Sequence, residues 1–504
     1  MNIATPSGVF EEIELKLALP NADAAALAQC LGRTPLLARR KPKRQLLRNV
    51  YYDTPEQVVR QQRISLRLRQ VGGADPQWLQ TLKTGGSSDS ALSQRGEWET
   101  AVTGAALSLP ALEGTPWSRI DPDGVLFAAL APCFVTTFER TTWLVRRRDR
   151  SCVEVALDIG QIEANGNTTP LCELEFELKE GLPEALFVVA KTIAASVAVM
   201  PMSQSKAQRG YAVAQGTLHA PQQAQPVALS AERELSRVAR LVLREMWSQF
   251  TTNLQALRGS DATEIVHQAR VGWRRFRSGL RLFKPLLRES ALPAWEALRP
   301  LLALLGETRD LDVARTQTLP ALGPVYGCAD RRRERAWKRM LEVLADSARD
   351  KRRALRQELE MPSVGASLLG ITQWLECGFA APAMAAVKAS PQVSLRGWSL
   401  RRISKLRRRL RLAQRAASPE QNDHRTRILA KRLRYGMEAL RPLLPKRRTQ
   451  VWYRQATELQ SSIGSKRDLL QASALVSKFD LDRGLQEFLR GLTLGKSGVT
   501  PLSN

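Results

Sequence analysis

Polar and apolar residues alternate strictly near the beginning of the chain. Glu12, Glu14 and Lys16 occupy every second position, and Ile13 and Leu15 fill the positions between them. Because successive side chains of a β-strand point to opposite sides of a sheet, this spacing predicts a strand with one charged face and one apolar face. An ordinary surface strand shows the same alternation, so the segment alone does not distinguish a functional face from a solvated one.

Five later segments repeat this alternation, at 64–69, 78–83, 95–99, 153–158 and 172–179. Their charged faces carry both signs, with acidic strands toward the two ends of the region and basic strands between them. Glu173, Glu175 and Glu177 stand in line, and aligned carboxylates repel one another unless cations compensate them. We therefore expect the charged faces to point inward, around a polyanion that is held through metal ions.

Beyond a Gln-rich stretch at 215–225 the alternation ends and long helical segments replace it. These segments are predicted at about 231–258, 262–289, 327–360, 397–415, 420–443 and 448–476. The sequence therefore predicts a multidomain protein, with a strand-rich part at 8–215, a linker at 216–229 and an all-α helical bundle at 230–495.

Charge separates the same two parts of the chain. The 504 residues carry a net charge of +27. Lys and Arg outnumber Asp and Glu by only 24 to 23 in residues 1–219, but by 52 to 26 in the remainder. Nearly all of the excess positive charge belongs to the helical part, which favours a polyanionic partner.

Cysteine usage and hydropathy favour a cytoplasmic protein. The six cysteines lack the spacing of a metal site, so we expect reduced thiols. The first ten residues contain neither the basic nor the apolar region of a secretory signal. The most apolar stretch, 185–200, is interrupted by Lys191 and is too short to span a bilayer, so we expect no membrane partner.

The helical part contains an internal repeat, over about 230–360 and 390–495. In both halves a histidine, His267 or His424, is followed by basic residues at positions +3, +7, +8 and +10. A Gly-x-x-Arg-Asp motif follows at nearly the same distance in each half, at 306–310 and 464–468. Positions 0, +3, +7 and +10 of a helix lie along one stripe, so each half presents a histidine and three cations in a line.

The motifs of the strand-rich part occur in a recognisable order. After Glu-x-Glu-x-Lys come Tyr-Tyr-Asp-Thr-Pro at 51–55, Leu-Arg-Leu-Arg at 66–69, Gln-Thr-Leu-Lys at 80–83, Leu-Asp-Ile-Gly at 157–160, the acidic strand at 172–177 and Ser-Lys-Ala-Gln-Arg-Gly-Tyr at 205–211. Together they resemble the CYTH domain, the triphosphate tunnel metalloenzyme fold. The resemblance implies an antiparallel β-barrel with flanking helices and a charged interior, in which a triphosphate is hydrolysed.

The resemblance also implies roles for the charged residues. Mg²⁺ or Mn²⁺ would be held by carboxylates, namely Glu12, Glu14, Asp158, Glu173, Glu175 and Glu177. The triphosphate would be bound by cations, namely Lys16, Arg67, Arg69, Lys83, Arg95, Arg140 and Lys206. Glu12, Glu14 and Lys16 are the catalytic candidates, with one of the two glutamates as the base that activates water.

Each of these residues has a structural alternative, which is a cross-strand ion pair inside the barrel. We prefer that alternative for Glu97, Glu99, Arg146 and Arg148. For the basic run at 39–48 we prefer a solvated loop to a guard of the tunnel mouth.

The repeat of the helical part resembles the CHAD domain, an α-helical domain named for its histidines. The resemblance implies binding of inorganic polyphosphate through His267, Arg270, Arg274, Arg277, Arg309, His424, Arg427, Lys431, Arg434 and Arg467. Association with polyphosphate granules in the cytoplasm is the corresponding expectation. The two histidines equally fit buried groups that position the arginines. The second half has Leu470 and Glu438 where the first has Asp312 and Arg281, so we expect its stripe to be weaker.

A solvated basic face and a nucleic-acid partner are the alternatives for the helical part. Nucleic acid ranks second to polyphosphate because Trp273, Phe276 and Tyr435 are isolated, whereas single-strand binders interleave aromatic residues with basic ones.

The polyphosphate-type domain favours inorganic triphosphate as the substrate, with diphosphate and phosphate as products. CYTH-like domains also include thiamine triphosphatases, RNA 5′-triphosphatases and class IV adenylate cyclases, but no adenine pocket is recognisable in the sequence. A hydrolase or cyclase acting on a nucleoside or thiamine triphosphate, and a non-catalytic polyphosphate-binding scaffold, remain as alternatives.

Overall fold

The computed structural model describes residues 11–20, 24–73, 75–86, 90–229, 232, 234–287, 292–378, 394–415, 419–479 and 481–497. These residues form two compact units. The barrel unit comprises the described residues up to Ala220, together with Pro293–Ala297 and Leu359–Gly378, and the helical unit comprises the others. The predicted boundaries at residues 8, 230 and 390 lie outside the described residues, and the domain limits as a whole stay a prediction.

Eight antiparallel strands close into a barrel. They are β1 (Glu11–Ala18), β2 (Lys43–Asp53), β3 (Ile64–Val71), β4 (Gln77–Thr84), β5 (Leu92–Val102), β6 (Ala131–Arg146), β7 (Cys152–Ala164) and β8 (Asn167–Glu180), and the short β9 (Met200–Pro201) pairs with β1. Their order is β5-β4-β3-β2-β6-β7-β8-β1, and the pairing of β1 with β5 closes the ring. The predicted antiparallel barrel is confirmed.

The apolar faces of the strands point outward, where helices cover them. Leu15 and Leu17 of β1 and Phe176 of β8 are fully buried in one cluster with residues of α1 (Ala24–Arg33) and α5 (Glu184–Ala194). Since a one-residue change of register would exchange the two faces of a strand, burial of the apolar face fixes which side chains point into the barrel. Three short helices, α2 (Val58–Gln61), α3 (Trp117–Ile120) and α4 (Val125–Ala128), lie in the connections between strands.

Helix α6 (Lys206–Ala214) packs against inward-facing side chains of the barrel. It begins with a capping box, in which the Ser205 hydroxyl accepts a hydrogen bond from the Gln208 backbone and the Gln208 side chain accepts one from the Ser205 backbone. Further along, Tyr211 donates a hydrogen bond of 2.6 Å to the fully buried Asp53 of β2. These contacts hold Lys206, the first residue of α6, over the interior of the barrel.

A helix from the second half of the chain completes the barrel unit. Helix α12 (Pro362–Glu376) lies in the segment Leu359–Gly378 and packs against α5 and β9. Its Leu369 is fully buried in the same cluster as Leu15 and Phe176. Its Gly365 lies so close to the backbone that a Cβ atom there would be 2.3 Å from the Val199 carbonyl oxygen. Helix α12 is therefore part of the apolar cover of the barrel.

The second unit is mostly helical, as predicted. Its helices are α7 (Leu235–Ala256), α8 (Thr263–Leu282), α9 (Arg299–Val313), α10 (Gly323–Gly327), α11 (Arg331–Leu359), α13 (Leu395–Arg415), α14 (Pro419–Ala439), α15 (Lys446–Val476) and α16 (Arg483–Ser497). Helix α8 ends earlier than the predicted residue 289, because Pro285 cannot continue the helical hydrogen bonding and the chain enters a 3₁₀ turn. Helices α9, α10 and α16 are additions to the predicted set.

The aromatic residues between α7 and α8 belong to the core. Trp273 and Phe276, which are isolated in the sequence, pack against Trp247 and Phe250 of α7 with ring centroids 5.1–5.3 Å apart. This packing determines which face of α8 points away from the core. The basic stripe of α8 runs along that outer face.

Candidate functional site

A cavity of about 600 Å³ lies inside the barrel, and all eight strands contribute side chains to it. Among the residues predicted for the site, the lining includes Glu12, Lys16, Arg67, Arg69, Lys83, Arg95, Arg140, Glu175, Glu177 and Lys206. The other three, Glu14, Asp158 and Glu173, are buried with at most 2% of their surface exposed. Charged side chains that are scattered over 195 positions of the sequence thus meet in one interior.

Three carboxylates of β7 and β8 form an acidic cluster, which consists of Asp158, Glu173 and Glu175. One oxygen atom from each lies within 4.8 Å of the others. The ammonium group of Lys206 contacts all three: it lies 2.6 Å from Asp158 and 3.0 Å from Glu175, and it donates a hydrogen bond to Glu173. Lys206 is itself 6% exposed, so this contact is made away from bulk water.

Two arginines complete the charge balance of the acidic cluster. Arg140 donates hydrogen bonds of 2.7 and 2.6 Å to the two oxygens of Asp158, and it also donates to Glu175. Arg209 donates a hydrogen bond of 2.8 Å to Glu173. Three cations therefore face three carboxylates, which is the arrangement that makes such a buried cluster tolerable.

The charge balance is visible in the protonation of Glu175. Burial by itself raises the pKa of this carboxyl, but the positive charges of Lys206, Arg140 and Lys16 outweigh it and hold the pKa well below its ordinary value. Glu175 is therefore ionised at neutral pH.

Glu12 and Glu14 of β1 form a second group, with cations from β4 and β5. Glu12 accepts hydrogen bonds from Lys83 at 2.8 Å and from Arg95 at 3.1 Å. Glu14 accepts hydrogen bonds from Lys16 and Arg95. Burial raises the pKa of Glu12, but Lys83 and Arg95 overcome this effect and hold it below the ordinary value.

Glu97 and Glu99 of β5 form the cross-strand ion pairs expected of them, whereas Arg146 and Arg148 are exposed and form no ion pair among the described residues. Arg67 lies 3.6 Å from Glu97 and 3.9 Å from Glu99, and Arg69 lies 3.5 Å from Glu99. Burial raises the pKa of Glu97, but Lys83 and Arg67 lower it to about 2.

The basic strand β3 keeps binding capacity for an anion. Burial, together with the charges of Arg67 and Arg140, lowers the pKa of Arg69 to about 10. The Nε atom of Arg67 is buried and has no hydrogen-bond partner among the described residues. An anionic ligand at this side of the cavity would accept a hydrogen bond from the Arg67 Nε atom and relieve the repulsion that Arg69 experiences from Arg67 and Arg140.

Glu177 lies apart from the acidic cluster. It pairs with Lys179 of the same strand at 2.6 Å, and it faces Glu14 and Glu154 across the sheet. Burial is the main cause that raises the pKa of Glu177, and Glu154 adds to it.

Lys43 is a cavity residue that was not predicted. The second half of the basic run at 39–48 is not a solvated loop, because β2 begins at Lys43, and that residue lines the cavity. Its position two residues before the inward-facing Gln45 was the available signal.

In the helical unit the basic stripes of the two halves converge. Arg274 of α8 lies within electrostatic range of Arg427 and Lys431 of α14, and Arg467 of α15 lies within range of the same two residues. Arg467 also acts on Arg270 of α8. We call the converging set the basic patch; it comprises His267, Arg270, Arg274, Arg309, Arg427, Lys431, Arg434 and Arg467.

Burial and mutual repulsion oppose protonation within the basic patch. Burial is the largest cause that lowers the pKa of Lys431 to about 7, and Arg274 and Arg427 lower it further. Burial and the charge of Arg309 lower the pKa of His267 to about 4, so this histidine is neutral at neutral pH. His267 therefore contributes no charge to the stripe.

Arg277 and His424, which were predicted to belong with these stripes, have further basic neighbours outside the basic patch. Arg277 lies within range of Arg281 and Arg432. His424 is exposed at the beginning of α14 and lines a separate groove that also contains Arg409 and Arg432.

Known protein families match both parts of the chain. The family model of the CYTH domain matches residues 11–211, and that of the CHAD domain matches residues 241–477. The chain carries a CYTH domain followed by a CHAD domain. The resemblance drawn from the ordered motifs and from the histidine repeat is confirmed.

Individual relatives resemble one domain or the other. The inorganic triphosphatase of Haemophilus influenzae is 35% identical over 210 residues, which are 40% of this chain and 55% of that protein, so the match spans about half of the relative. The CHAD domain from the plant Ricinus communis is 27% identical, with a TM-score of 0.46, and covers 56% of this chain and 93% of its own. A putative adenylyl cyclase from Hippeastrum, described as having a dominant triphosphatase activity, is 19% identical, with a TM-score of 0.30, and covers 40% of this chain and 95% of its own.

The acidic cluster of the CYTH domain suits a hard divalent cation. Its donors are carboxylate oxygens only, which are the ligands that Mg²⁺ and Mn²⁺ prefer. All three carboxylates already contact the Lys206 ammonium, so a divalent cation bound there competes with Lys206 for the same oxygens. Among the described helices of the chain, none combines the length and the apolar character needed to cross a membrane.

Proposed function

We propose that the CYTH domain hydrolyses inorganic triphosphate to diphosphate and phosphate with the help of Mg²⁺ or Mn²⁺, and that the CHAD domain binds inorganic polyphosphate. The observation that carries the first part is the charged cavity of about 600 Å³, in which cations of β1 and β3–β6 surround a space next to the acidic cluster. A short phosphate chain matches this interior because it is dense in negative charge along its whole length.

The residues of the cavity divide into three roles in this proposal. Divalent cations would be held by Asp158, Glu173 and Glu175, with Glu12, Glu14 and Glu177 as the further predicted ligands. A bound metal ion would neutralise charge on the phosphates and lower the pKa of the water that it binds. The cations Lys16, Arg67, Arg69, Lys83, Arg95, Arg140 and Lys206 orient the phosphate oxygens and stabilise the charge that develops on the leaving diphosphate. A carboxylate of the Glu12/Glu14 pair accepts the proton of the attacking water.

Phosphate release by the full chain from tripolyphosphate, ATP and thiamine triphosphate, with Mg²⁺, Mn²⁺ or EDTA, tests the proposal. We expect tripolyphosphate to be the preferred substrate and EDTA to abolish turnover. Glu175→Gln should lower kcat by about 100-fold or more, since it removes charge beside the reacting phosphates. The matched control is Glu180→Gln, which changes an exposed glutamate at the end of the same strand and should leave kcat unchanged.

Three other outcomes would contradict this assignment. Undiminished turnover in EDTA would exclude the metal-dependent reaction. Binding of tripolyphosphate without turnover would favour a non-catalytic scaffold. Preferential cleavage of thiamine triphosphate or a nucleoside triphosphate, or formation of cyclic AMP, would favour the corresponding CYTH-type enzyme.

The basic patch supports polyphosphate as the partner of the CHAD domain. Arginine and lysine side chains from α8, α14 and α15 converge there, whereas the nearby aromatic residues Trp273, Phe276 and Tyr435 are at most 8% exposed. The patch therefore offers groups that recognise phosphates, and these three rings are not open to stacking by nucleic-acid bases. Tyr453 of α15 is exposed, but its hydroxyl donates a hydrogen bond of 2.9 Å to Glu438.

Competition between long-chain polyphosphate and DNA for the full chain, at one matched ionic strength, tests this partner. Arg274→Ser with Lys431→Met should weaken polyphosphate binding, and the exposed Lys478→Met should serve as the control. If DNA displaces polyphosphate at physiological salt, the assignment is wrong.

A further inference from the structure

Helix α13 carries eight arginines and one lysine in 21 residues, and no carboxylate. The equivalent helix of the first repeat, α7, has only three arginines and one glutamate in 22 residues. None of the nine cations of α13 forms an ion pair with a carboxylate of the described chain. The second repeat thus has a concentration of positive charge on α13 that the first repeat lacks. This charge lies outside the stripe that contains the histidine.

Three of these cations share one stripe of the helix. Helix α13 buries Ser399, Ile403, Leu410 and Ala413. Arg402, Lys405 and Arg409 stand at spacings of three and four, which aligns them beside that buried face. They line a groove of about 460 Å³ together with Arg281, Lys284 and Arg432. We call it the α13 groove; it has six cations, and no Asp or Glu among the described residues that line it.

The wall of the α13 groove is held in place by α8. Arg402 donates hydrogen bonds of 3.0 and 2.7 Å to the Leu282 carbonyl oxygen and one of 3.0 Å to the Arg281 carbonyl oxygen, at the C-terminus of α8. Its guanidinium lies 5.9 Å from the ring centroid of Trp398, and that ring stacks on Phe283. Arg402 therefore has a structural task, whereas Lys405 and Arg409 are exposed and face the groove.

Arg432 lies where positive charges crowd together. Its Nε atom is buried and has no hydrogen-bond partner among the described residues. Burial lowers the pKa of Arg432, and the charges of Arg281, Arg409 and Arg277 lower it further. An anion in the groove would satisfy the buried N–H group and relieve this repulsion.

The α13 groove continues the basic patch. Arg277 stands three residues beyond Arg274 of the patch in α8, so the two side chains share a face of that helix. Arg277, the last position of the first histidine stripe, lies within electrostatic range of Arg432. Cations therefore extend from the patch, through Arg277 and Arg432, to Lys405 and Arg409 of α13.

The chemistry of the groove favours a chain of phosphates over other polyanions. Two aromatic rings beside α13 are already engaged. Trp398 stacks on Phe283, and Trp452 of α15 is 4% exposed and lies between Arg407 and Arg448, at 4.4 and 5.1 Å. Leu412 is the exposed large apolar residue of α13, and a single leucine does not provide the apolar face of a membrane-binding helix.

We infer that the α13 groove is a second phosphate-chain subsite, continuous with the basic patch, which makes the CHAD domain bind long polyphosphate chains in preference to short ones. This inference rests on the proposed binding of polyphosphate by the CHAD domain. A short chain fills the patch alone, whereas a long chain also reaches Lys405 and Arg409 and releases more counterions on binding.

A ladder of polyphosphate lengths, titrated against the full chain at several salt concentrations, tests the inference. The groove variant is Lys405→Glu with Arg409→Glu. The matched control is Arg335→Glu with Arg339→Glu, which makes the same change in net charge at exposed positions of α11. A patch variant, Arg274→Ser with Lys431→Met, defines the part of short-chain binding that belongs to the CHAD domain rather than to the barrel cavity.

The groove variant should bind long chains about tenfold more weakly and lower the slope of log K against log salt by about two, with the patch-dependent binding of short chains unchanged. The control variant should bind polyphosphate as the wild type does. The groove variant and the control variant should both have the circular dichroism spectrum and the triphosphate turnover of the wild type.

Unchanged long-chain binding by the groove variant, or an equal loss for short and long chains, would overturn the inference while polyphosphate binding itself stands. A wild type that binds no polyphosphate of any length would overturn the proposed function and this inference together. If binding of double-stranded DNA or of phosphatidylserine vesicles depends on Lys405 and Arg409 while binding of polyphosphate does not, polyphosphate is not the ligand of the groove.

Discussion

Replacement of Lys206 by methionine removes one of the three cations that neutralise the acidic cluster. The remaining Arg140 and Arg209 then face three carboxylates, two of which, Asp158 and Glu173, are fully buried. One negative charge is left without a partner in a place from which water is excluded. Breaking a buried ion pair in this way costs about 3–5 kcal/mol, so we expect Lys206→Met to lower the stability of the barrel unit by that amount in EDTA.

A divalent cation should restore much of this loss. A ligand that binds only the folded state stabilises it by about 2.7 kcal/mol at 100 times its dissociation constant. In the variant, Mg²⁺ or Mn²⁺ meets three carboxylates without a competing ammonium group. We therefore expect the metal to stabilise the variant more than the wild type, in which Lys206 contacts the same oxygens.

Hydrogen exchange of peptides from β7 and β8 is the suitable assay, because it reports on the barrel unit alone in a chain with two compact units. Lys191→Met, at an exposed position of α5, is the control and should change stability by no more than about 0.5 kcal/mol. A loss below about 1 kcal/mol for Lys206→Met in EDTA would refute the charge-balance argument. A full loss that saturating metal does not reduce would refute the acidic cluster as a metal site.

Three further predictions concern other parts of the molecule. Gly365→Ala should destabilise the barrel unit by about 1–3 kcal/mol in chemical denaturation, because its Cβ would lie 2.3 Å from a backbone carbonyl oxygen. Gly370→Ala in the same helix is the control, since no atom lies within 4 Å of the added Cβ, and it should be neutral or stabilising. Polyphosphate affinity should fall as the pH rises through about 7, because the lowered pKa of Lys431 removes its charge there; calorimetry in two buffers should detect proton uptake on binding, and Lys431→Met should abolish both effects. Asp53→Asn should cost about 1–3 kcal/mol in thermal unfolding, since the buried carboxylate accepts hydrogen bonds from three backbone N–H groups and from Tyr211; an unchanged Tm would contradict this role.

The charged interior could be predicted from the sequence because a strand has a period of two residues. Once Ile13 and Leu15 are assigned to the outer face, Glu12 and Glu14 have to point inward, whatever the details of the barrel. The same argument extends to the later strands. The sequence could not show that Lys206 contacts all three members of the acidic cluster, because that contact depends on how α6 caps the barrel interior.

Contacts between distant segments could not be predicted in the same way. The period of α12 reveals an apolar helix, but not that Leu369 packs with the barrel rather than with the neighbouring repeats. The repeat of spacing around His267 and His424 likewise suggested equivalent roles. In the structure His267 lies in the basic patch, whereas His424 lines another groove, because equal spacing along two helices does not give them equal neighbours.

The position of α12 in the chain has a consequence for synthesis on the ribosome. The 138 residues from 221 to 358 separate the strands of the barrel from the segment Leu359–Gly378 that covers part of their outer face. At about 5–20 residues per second, translation of this interval takes about 7–28 s. During that time the newly made barrel presents uncovered leucine and valine side chains to the surrounding solvent. Ribosome-associated chaperones, which shield apolar surface on nascent chains, should therefore raise the yield of active protein. Slowly translated codons placed after the barrel-coding region should lower it.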